Sequence, residues 1–270
     1  KEQKAFIARD RFGEKPLYWS NFENTFIFAS EAKAILSHPK IKIEFNDSFV
    51  NKLEGSTNYS SSETIFKNIF QFHPGHLSIF DLKTEKISTH KYWFPELNNT
   101  KKYFIRENQI VTEEIHHLLN NSIDTICLGN SDVNAGLMLS GGLDSTIISA
   151  IISSKGKKLE TFSAIFKGFK NDESSYIDQI VKNMGINNYS FTPSVDNLIE
   201  SFRDMHWYIE NIISNPSFFL EWELCKMAKK KGFKILITGQ GSDEIFSGYE
   251  EAINLIKFKK KNLKGIYKNF

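Results

Sequence analysis

The sequence is 270 residues long, 40% hydrophobic and 24% charged, and its formal net charge is +2. This composition excludes a disordered or collagen-like chain, allows one or two domain cores, and gives no reason to expect nucleic acid as a partner. Two cysteines, Cys127 and Cys225, are interpreted as buried hydrophobic residues rather than a disulfide framework, and no apolar run approaches the roughly 18 residues of a membrane span, so we expect a cytoplasmic protein.

The first third of the sequence is predicted to be mostly β. Short apolar runs at 4–9, 17–19 and 25–29 are separated by polar turns, which is typical of strands. Ser30 is the expected N-cap of a short helix at 31–37, which ends before Pro39. Further strands are expected within 65–79 and 86–93, and the polar stretch 98–102 is a candidate domain boundary.

Strand and helix patterns alternate in the rest of the sequence. A helix is expected first, with a stripe formed by Ile110, Ile115, Leu118, Leu119, Ser122 and Ile126. Predicted strands at 134–139, 160–166, 188–192 and 234–238 then alternate with predicted helices at 146–154, 174–184, 195–212 and 218–231. This alternation predicts an α/β fold with a parallel sheet, in which ligands bind beyond the carboxyl ends of the strands.

A glycine-containing loop follows the first predicted parallel strand. Its sequence is Ser140-Gly141-Gly142-Leu143-Asp144-Ser145. Adjacent glycines permit a sharp turn without side chains, and the amides of the following helix favour an anion, so the loop is a candidate phosphate cradle. An Asp beside phosphate predicts Mg²⁺ between them. The alternative is an ordinary turn in which Ser and Asp cap a helix.

A second glycine-rich segment, at 237–249, follows the last predicted strand. It contains Thr238-Gly239-Gln240-Gly241 and the paired carboxylates Asp243 and Glu244. Glycines among polar residues at a strand end indicate a backbone that approaches a ligand. The alternative for the two carboxylates is stabilisation of a helix N-terminus.

These segments carry a family resemblance. The 140–145 loop resembles the pyrophosphate loop of ATP pyrophosphatases, and 237–249 resembles the second signature of glutamine-hydrolysing asparagine synthetases. The segments 8–18, 30–34 and 74–76 are similar to the same family's glutaminase domain. The resemblance covers nearly the whole chain in the family's order, so the sequence is identified as a member of that family and as an internal fragment of a longer protein.

The resemblance implies a multi-domain α/β protein. Residues 1–80 would be the mostly β end of a class II glutamine amidotransferase domain, 81–107 a linker, and 108–270 the first part of the synthetase domain. The implied reaction activates aspartate as aspartyl-AMP, releases pyrophosphate, and adds ammonia derived from glutamine. The implied cofactors are ATP and Mg²⁺. The implied partners are small-molecule substrates, whereas neither nucleic acid nor a membrane is expected to bind. A homodimer is a candidate assembly.

The family's site residues transfer to matching positions in this sequence. The residues expected to contact ATP or pyrophosphate are Leu139, Ser140, Gly141, Gly142, Asp144, Ser145, Ala164, Thr238 and Gly239. The residues expected to hold metal are Asp144 and Asp243. For Ala164, a buried strand residue without ligand contact is an equally good interpretation.

Gln240 departs from the family pattern, in which a glutamate follows the glycine. It occupies the position of a catalytic residue, yet glutamine can hydrogen-bond but cannot act as a general base. The acceptor therefore stays open between aspartate and another carboxylate, and a non-catalytic nucleotide-binding protein is a third hypothesis. Residue 1 is Lys1 where the family has a nucleophilic cysteine, so we expect residues 1–270 alone not to hydrolyse glutamine.

Overall fold

The computed structural model describes residues 3–23, 25–55, 62–95, 108–128, 134–156, 158–169, 172–213, 215–246, 248–249 and 254. The chain forms two compact units. The first comprises Lys1–Tyr103 together with Phe202–Ser214, and the second comprises Phe104–Ser201 and Asn215–Phe270. No sequence feature indicated that 202–214 belongs with the first unit, and the domain boundaries at 80 and 108 stay a prediction.

The first unit contains two three-stranded sheets. Strands β1 (Lys4–Ala8), β5 (His76–Asp81) and β6 (Lys86–Lys91) form one antiparallel sheet with β5 in the centre. Strands β2 (Tyr18–Phe22), β3 (Thr25–Ala29) and β4 (Phe70–Gln71) form the other, with β2 in the centre. The mostly β character predicted for this region is confirmed, and β6 lies inside the range predicted to be a linker.

Helix α1 (Ala32–Leu36) follows β3, but Ser30 is not its N-cap. The N-cap position is Glu31, whose side chain makes no capping hydrogen bond. The carboxylate of Glu210, from the part of the first unit that is distant in sequence, accepts hydrogen bonds from the amides of Ala32 at 2.7 Å and Lys33 at 2.6 Å. A long-range contact thus replaces the local cap that the sequence predicts.

A second helix of this unit, α2 (Asp47–Gly55), was not predicted. Asn46 lies before it, and its Oδ1 accepts a hydrogen bond from the amide of Phe49 at 3.2 Å. This is the contact that an N-cap asparagine makes with the first helical turn. Asn46 was therefore the signal that could have revealed the helix.

The second unit is built on a parallel sheet, which confirms the predicted fold class. The strands are β7 (Ala135–Met138), β8 (Glu160–Ala164), β9 (Asn187–Phe191) and β10 (Ile235–Ile237), in the spatial order β10-β7-β8-β9. Every neighbouring pair is parallel. Helices α3 (Asn108–Leu128), α4 (Leu143–Ser154), α5 (Ser174–Met184), α7 (Ser217–Lys230) and the short α8 (Ser242–Phe246) belong to this unit, while α6 (Val195–Ile209) begins in it.

The apolar stripe predicted for α3 is partly wrong. Ile123, outside the predicted stripe, is buried in the core of the second unit, and Leu119 packs against that core. Leu118 is 60% exposed, and Ile110 and Ile126 are also exposed. The buried face therefore follows an i, i+4 spacing, because α3 packs on α4 through a narrow strip of its surface.

Two further sequence expectations concern burial and membranes. The side chain of Cys225 is exposed, so the prediction that it is buried is wrong, while the side chain of Cys127 lies outside the described residues. Burial around the thiol nevertheless raises the pKa of Cys225, and the charge of Glu221 raises it further. Within the described ranges, no helix combines the length and the apolar character needed to cross a bilayer.

Candidate active site

A cavity of about 420 Å³ lies in the second unit, beyond the carboxyl ends of β7, β8 and β10. Parallel strands end at one edge of a sheet, so the loops that follow them meet there. The predicted residues that line the cavity are Leu139, Ser140, Gly142, Asp144, Ser145, Ala164, Thr238, Gly239, Gln240 and Asp243. Gly141 is the predicted residue that is not among the lining residues. The two motifs are therefore brought to one concave site.

The loop after β7 is held by its own serines. Ser140 Oγ and Ser145 Oγ are 3.1 Å apart, and the amide of Gly142 donates to Ser140 Oγ at 3.2 Å. Ser145 Oγ also donates to the carbonyl oxygen of Gly142 at 3.2 Å. These bonds fix the loop at the start of α4, which begins at Leu143 rather than at the predicted residue 146. Asp144 and Ser145 consequently lie in the first helical turn.

The two glycines of the loop have different backbone conformations. Gly141 has a φ of +89°, in the left-handed region that favours glycine. Gly142 has a φ of −72° and a ψ of 167°, which any residue adopts. The sharp turn therefore depends on Gly141, whereas Gly142 contributes a surface of the cavity without a side chain.

The end of β8 forms a mostly buried wall of the cavity next to the loop. Phe162 is completely buried, lines the cavity, and packs against the rings of Tyr189 and Phe233. Ser163 Oγ donates to the carbonyl oxygen of Leu139 at 2.7 Å, and the amide of Leu139 donates to the carbonyl oxygen of Phe162 at 2.9 Å. These bonds fix the start of the β7 loop against β8.

The segment after β10 comes into close contact with the β7 loop. A Cβ atom added to Gly239 would lie 3.0 Å from Cβ of Asp144 and 3.5 Å from the amide nitrogen of Ser145. Only glycine allows this approach without displacing the first turn of α4. Gly239 therefore determines how closely the second motif approaches the carboxylate of the first.

Gln240 forms a hydrogen bond that the sequence did not predict. Its Nε2 donates to Oε1 of Glu221 at 3.0 Å, and its amide donates to Thr238 Oγ1 at 3.3 Å. Glu221 lies on α7 and lines the same cavity, as does Glu173 next to α5. Neither belongs to a motif, so only the tertiary structure reveals that they reach the site.

Carboxylates dominate the charged groups of the cavity. Asp144, Glu173, Glu221 and Asp243 line it, and no Lys or Arg is among its described lining residues. Negative charge at this density opposes direct binding of a polyphosphate, and a divalent cation placed between the two would offset this repulsion. The described residues contain no cluster of three or more His, Cys, Asp or Glu side chains arranged to hold a metal by themselves. One or two carboxylates that share Mg²⁺ with phosphate oxygens agree with this donor set.

Glu244 is held away from these carboxylates. The hydroxyl of Tyr249 donates to Glu244 Oε1 at 2.7 Å, and this hydrogen bond lowers the pKa of Glu244. Glu244 does not line the cavity, whereas Asp243 does. The paired carboxylates of the sequence therefore have separate environments.

In the first unit, the 8–18 segment is organised by a buried arginine. Arg9 donates to the carbonyl oxygens of Phe72 at 2.6 Å, Gly13 at 2.9 Å and Lys15 at 3.0 Å. The carboxylate of Asp10 accepts hydrogen bonds from the amides of Glu14 and Lys15. In the described structure, both charged residues stabilise the turn that joins β1 to β2.

Comparisons with known proteins cover both units. The family described as asparagine synthase matches residues 114–265, and the family described as glutamine amidotransferase domain matches residues 1–93. The chain is 31% identical to the glutamine-hydrolyzing asparagine synthetase 2 of Bacillus subtilis, over 94% of this chain and 35% of the relative. It is 27% identical to amidase chry2 of Gibberella zeae, over 92% of this chain and 39% of the relative. The chain spans less than half the length of these curated relatives.

A solved structure of a glutamine-dependent NAD⁺ synthetase from Acinetobacter baumannii, in complex with adenosine diphosphate, also matches. It is 15% identical, covers 68% of this chain and 34% of that chain, and has a TM-score of 0.36.

Proposed function

This chain belongs to the asparagine synthase family, and from that premise we propose that it forms the nucleotide-binding part of an ATP-dependent, amide-forming ligase. The acceptor that the family supports best is aspartate. The observation that carries the proposal is the cavity of the second unit, which residues of both motifs line, including Asp144 of the first and Gly239 of the second.

In the proposed reaction, an oxygen of the acceptor carboxylate attacks the α-phosphorus of ATP. The bond from that phosphorus to the β-phosphate oxygen breaks, and pyrophosphate leaves. Ammonia then attacks the activated carbonyl carbon, and the bond from this carbon to the phosphate-linked oxygen breaks. The amide forms, a proton leaves the nitrogen, and AMP departs with the oxygen that had attacked the phosphorus. The match of residues 1–93 to the glutamine amidotransferase family supports glutamine as the source of ammonia.

Each part of the cavity has a proposed task. The glycine loop presents the first-turn amides of α4 to the phosphates, because Gly142 has no side chain in the way. Ala164 offers a small, apolar surface to a flat base. Asp144 and Asp243 would hold Mg²⁺, whose positive charge would offset the negative charge of the phosphates.

The test is pyrophosphate release by the full-length protein, with ATP, Mg²⁺, ammonium and aspartate. We expect aspartate-dependent release, and we expect Asp144→Asn to reduce it by at least about tenfold, as for loss of a metal ligand. The matched control is Asp178→Asn on α5, which is exposed and does not line the cavity. Both variants should melt within about 2 °C of the wild type. Pyrophosphate release that Asp144→Asn leaves unchanged would contradict the assignment of the loop.

A second candidate is a ligase of the same chemistry that acts on another carboxylate. Two observations favour it, namely Gln240 at the family's glutamate position and a relative named as an amidase. Screening carboxylates for ATP-dependent pyrophosphate release, with products identified by mass spectrometry, separates the two candidates. Release with aspartate alone supports the first, and release with a different acceptor alone supports the second.

A further inference from the structure

The Gln240–Glu221 contact places a carboxylate beside the amide side chain of the second glycine-rich segment. Gln240 Nε2 lies 3.0 Å from Glu221 Oε1, and both residues line the cavity. Gln240 is exposed, while Glu221 is half-buried. The site therefore has a carboxylate at this end, but it comes from α7 rather than from the glycine-rich segment.

The chemistry of the pair fixes how the amide is oriented. An ionised carboxylate only accepts hydrogen bonds, so the amide group must present its NH₂ to Glu221. Gln240 Oε1 and Glu221 Oε2 make no hydrogen bond within the part of the chain that the structure describes. The pair thus offers a ligand two acceptor oxygens, Gln240 Oε1 and Glu221 Oε2, but only one donor, the second N–H of the Gln240 amide. A ligand group that donates several hydrogen bonds fits this arrangement.

The surrounding charges favour a cationic donor. Among the described residues that line the cavity, the other charged ones are Asp144, Glu173 and Asp243, all of them acidic. A second carboxylate of a ligand would be repelled at this end, whereas an ammonium group would be attracted.

We propose that Glu221 and Gln240 form a specificity-determining pair that binds the amino group of the acceptor molecule. This inference rests on the proposed function and deepens it, because it selects acceptors that carry a primary amine near the carboxylate to be activated. Glu221 carries the charge, and Gln240 supplies a neutral acceptor oxygen that does not repel Glu221.

The pairing can be tested without any ligand by comparing three variants of the full-length protein with the wild type. Gln240→Glu places two carboxylates side by side, and we expect its melting temperature at pH 7.5 to fall by about 2–4 °C. The exchange variant Glu221→Gln/Gln240→Glu restores one amide and one carboxylate, so its melting temperature should return to that of the wild type. Glu221→Gln alone should change it little. Equal melting temperatures for Gln240→Glu and the exchange variant would overturn the pairing.

Specificity is tested by pyrophosphate release with aspartate and with succinate, which is aspartate without its amino group. We expect Glu221→Gln to raise the KM for aspartate about tenfold or more, as for loss of a hydrogen bond to a charged group, and to leave the KM for ATP unchanged. The preference for aspartate over succinate should shrink by the same factor. The matched control is Glu200→Gln, an exposed glutamate of α6 that does not line the cavity.

The outcomes separate this inference from the proposed function. If Glu221→Gln behaves like Glu200→Gln while the wild type releases pyrophosphate with aspartate, the inference is overturned and the proposed function stands. If the wild type releases no pyrophosphate with any carboxylate tested, the proposed function is overturned and the specificity role falls with it. Recovery of the aspartate preference in the exchange variant supports the pair acting as a unit.

Discussion

The two glycines of the β7 loop provide a direct test of its structure. Alanine at Gly141 should mainly lower stability, whereas alanine at Gly142 should mainly lower nucleotide affinity. At Gly141, alanine would have to adopt a φ of +89°. Its Cβ would lie 3.2 Å from Cγ1 of Ile177 and 3.3 Å from Cβ of Glu173. At Gly142, the backbone is in the extended region, and an added Cβ would approach Ser140 Oγ at 3.3 Å.

The expected cost at Gly141 follows from these contacts. Holding a non-glycine residue at a positive φ costs about 1–3 kcal/mol of folding free energy. Ile177 is completely buried in the core and cannot move away, so relief of the close contact is limited. The entropy that alanine removes from the unfolded chain returns only about 0.4–1 kcal/mol. We expect Gly141→Ala to lower the free energy of unfolding by about 2 kcal/mol, or the melting temperature by roughly 4–8 °C.

Gly142→Ala should leave the free energy of unfolding within about 1 kcal/mol of the wild type, because its backbone is unstrained and the close atom, Ser140 Oγ, belongs to a short side chain that has to shift only slightly. Thermal and urea unfolding without ligand measure the stability of both variants. Nucleotide affinity measured by calorimetry should show the opposite ranking, because Gly142 lines the cavity and Gly141 does not. If Gly142→Ala is the more destabilised variant, the described loop conformation is wrong.

Two further predictions concern the cores of the two units. Phe162→Ala should destabilise the second unit by about 3–5 kcal/mol in urea unfolding, because the Phe162 side chain is completely buried. The control is Phe169→Ala, at a residue that is 71% exposed, and it should cost less than about 1 kcal/mol. Glu210→Gln should lower the free energy of unfolding by about 2 kcal/mol, because the Glu210 side chain is 6% exposed and binds two amides of α1 and the Lys33 ammonium. The control is Glu31→Gln, at a more exposed partner of Lys33, and it should cost under about 1 kcal/mol. Burial disfavours the Lys33 ammonium, but the hydrogen bonds that it donates to the carboxylates of Glu31 and Glu210 outweigh burial and raise the pKa of Lys33 above its ordinary value of 10.5. The difference between wild type and Glu210→Gln should therefore be complete at neutral pH and shrink as the pH rises above about 10.5, and a difference that grows there would contradict the ion pair.

The fold of the second unit could be predicted from the sequence, because short strand patterns alternate with longer helical patterns along it. Strand β7 and helix α4 were expected within three residues of where they lie. Errors occurred where a distant contact replaced a local one. Ser30 is an ordinary N-cap candidate, yet the carboxylate of Glu210 binds the start of α1 instead. Nothing near Ser30 in the sequence carries that information.

For the candidate site, sequence motifs identified the residues that lie in loops after strands. Leu139 and Ser140 after β7, and Thr238 and Gly239 after β10, follow from the rule that parallel strands end at one edge. The different conformations of Gly141 and Gly142 did not follow from the motif, because a Gly-Gly pair permits either residue to adopt a positive φ.

The sequence by itself determined that this chain has a β-rich first part, a parallel α/β second part, and two glycine-rich loops that meet at one sheet edge. These features depend on local patterns of polarity and on chain direction, which a sequence displays directly. Only the tertiary structure decided that Glu221 contacts Gln240 and that four carboxylates share the cavity. Those contacts depend on how α7 and the start of α5 pack against the sheet, and packing joins residues that no local pattern connects.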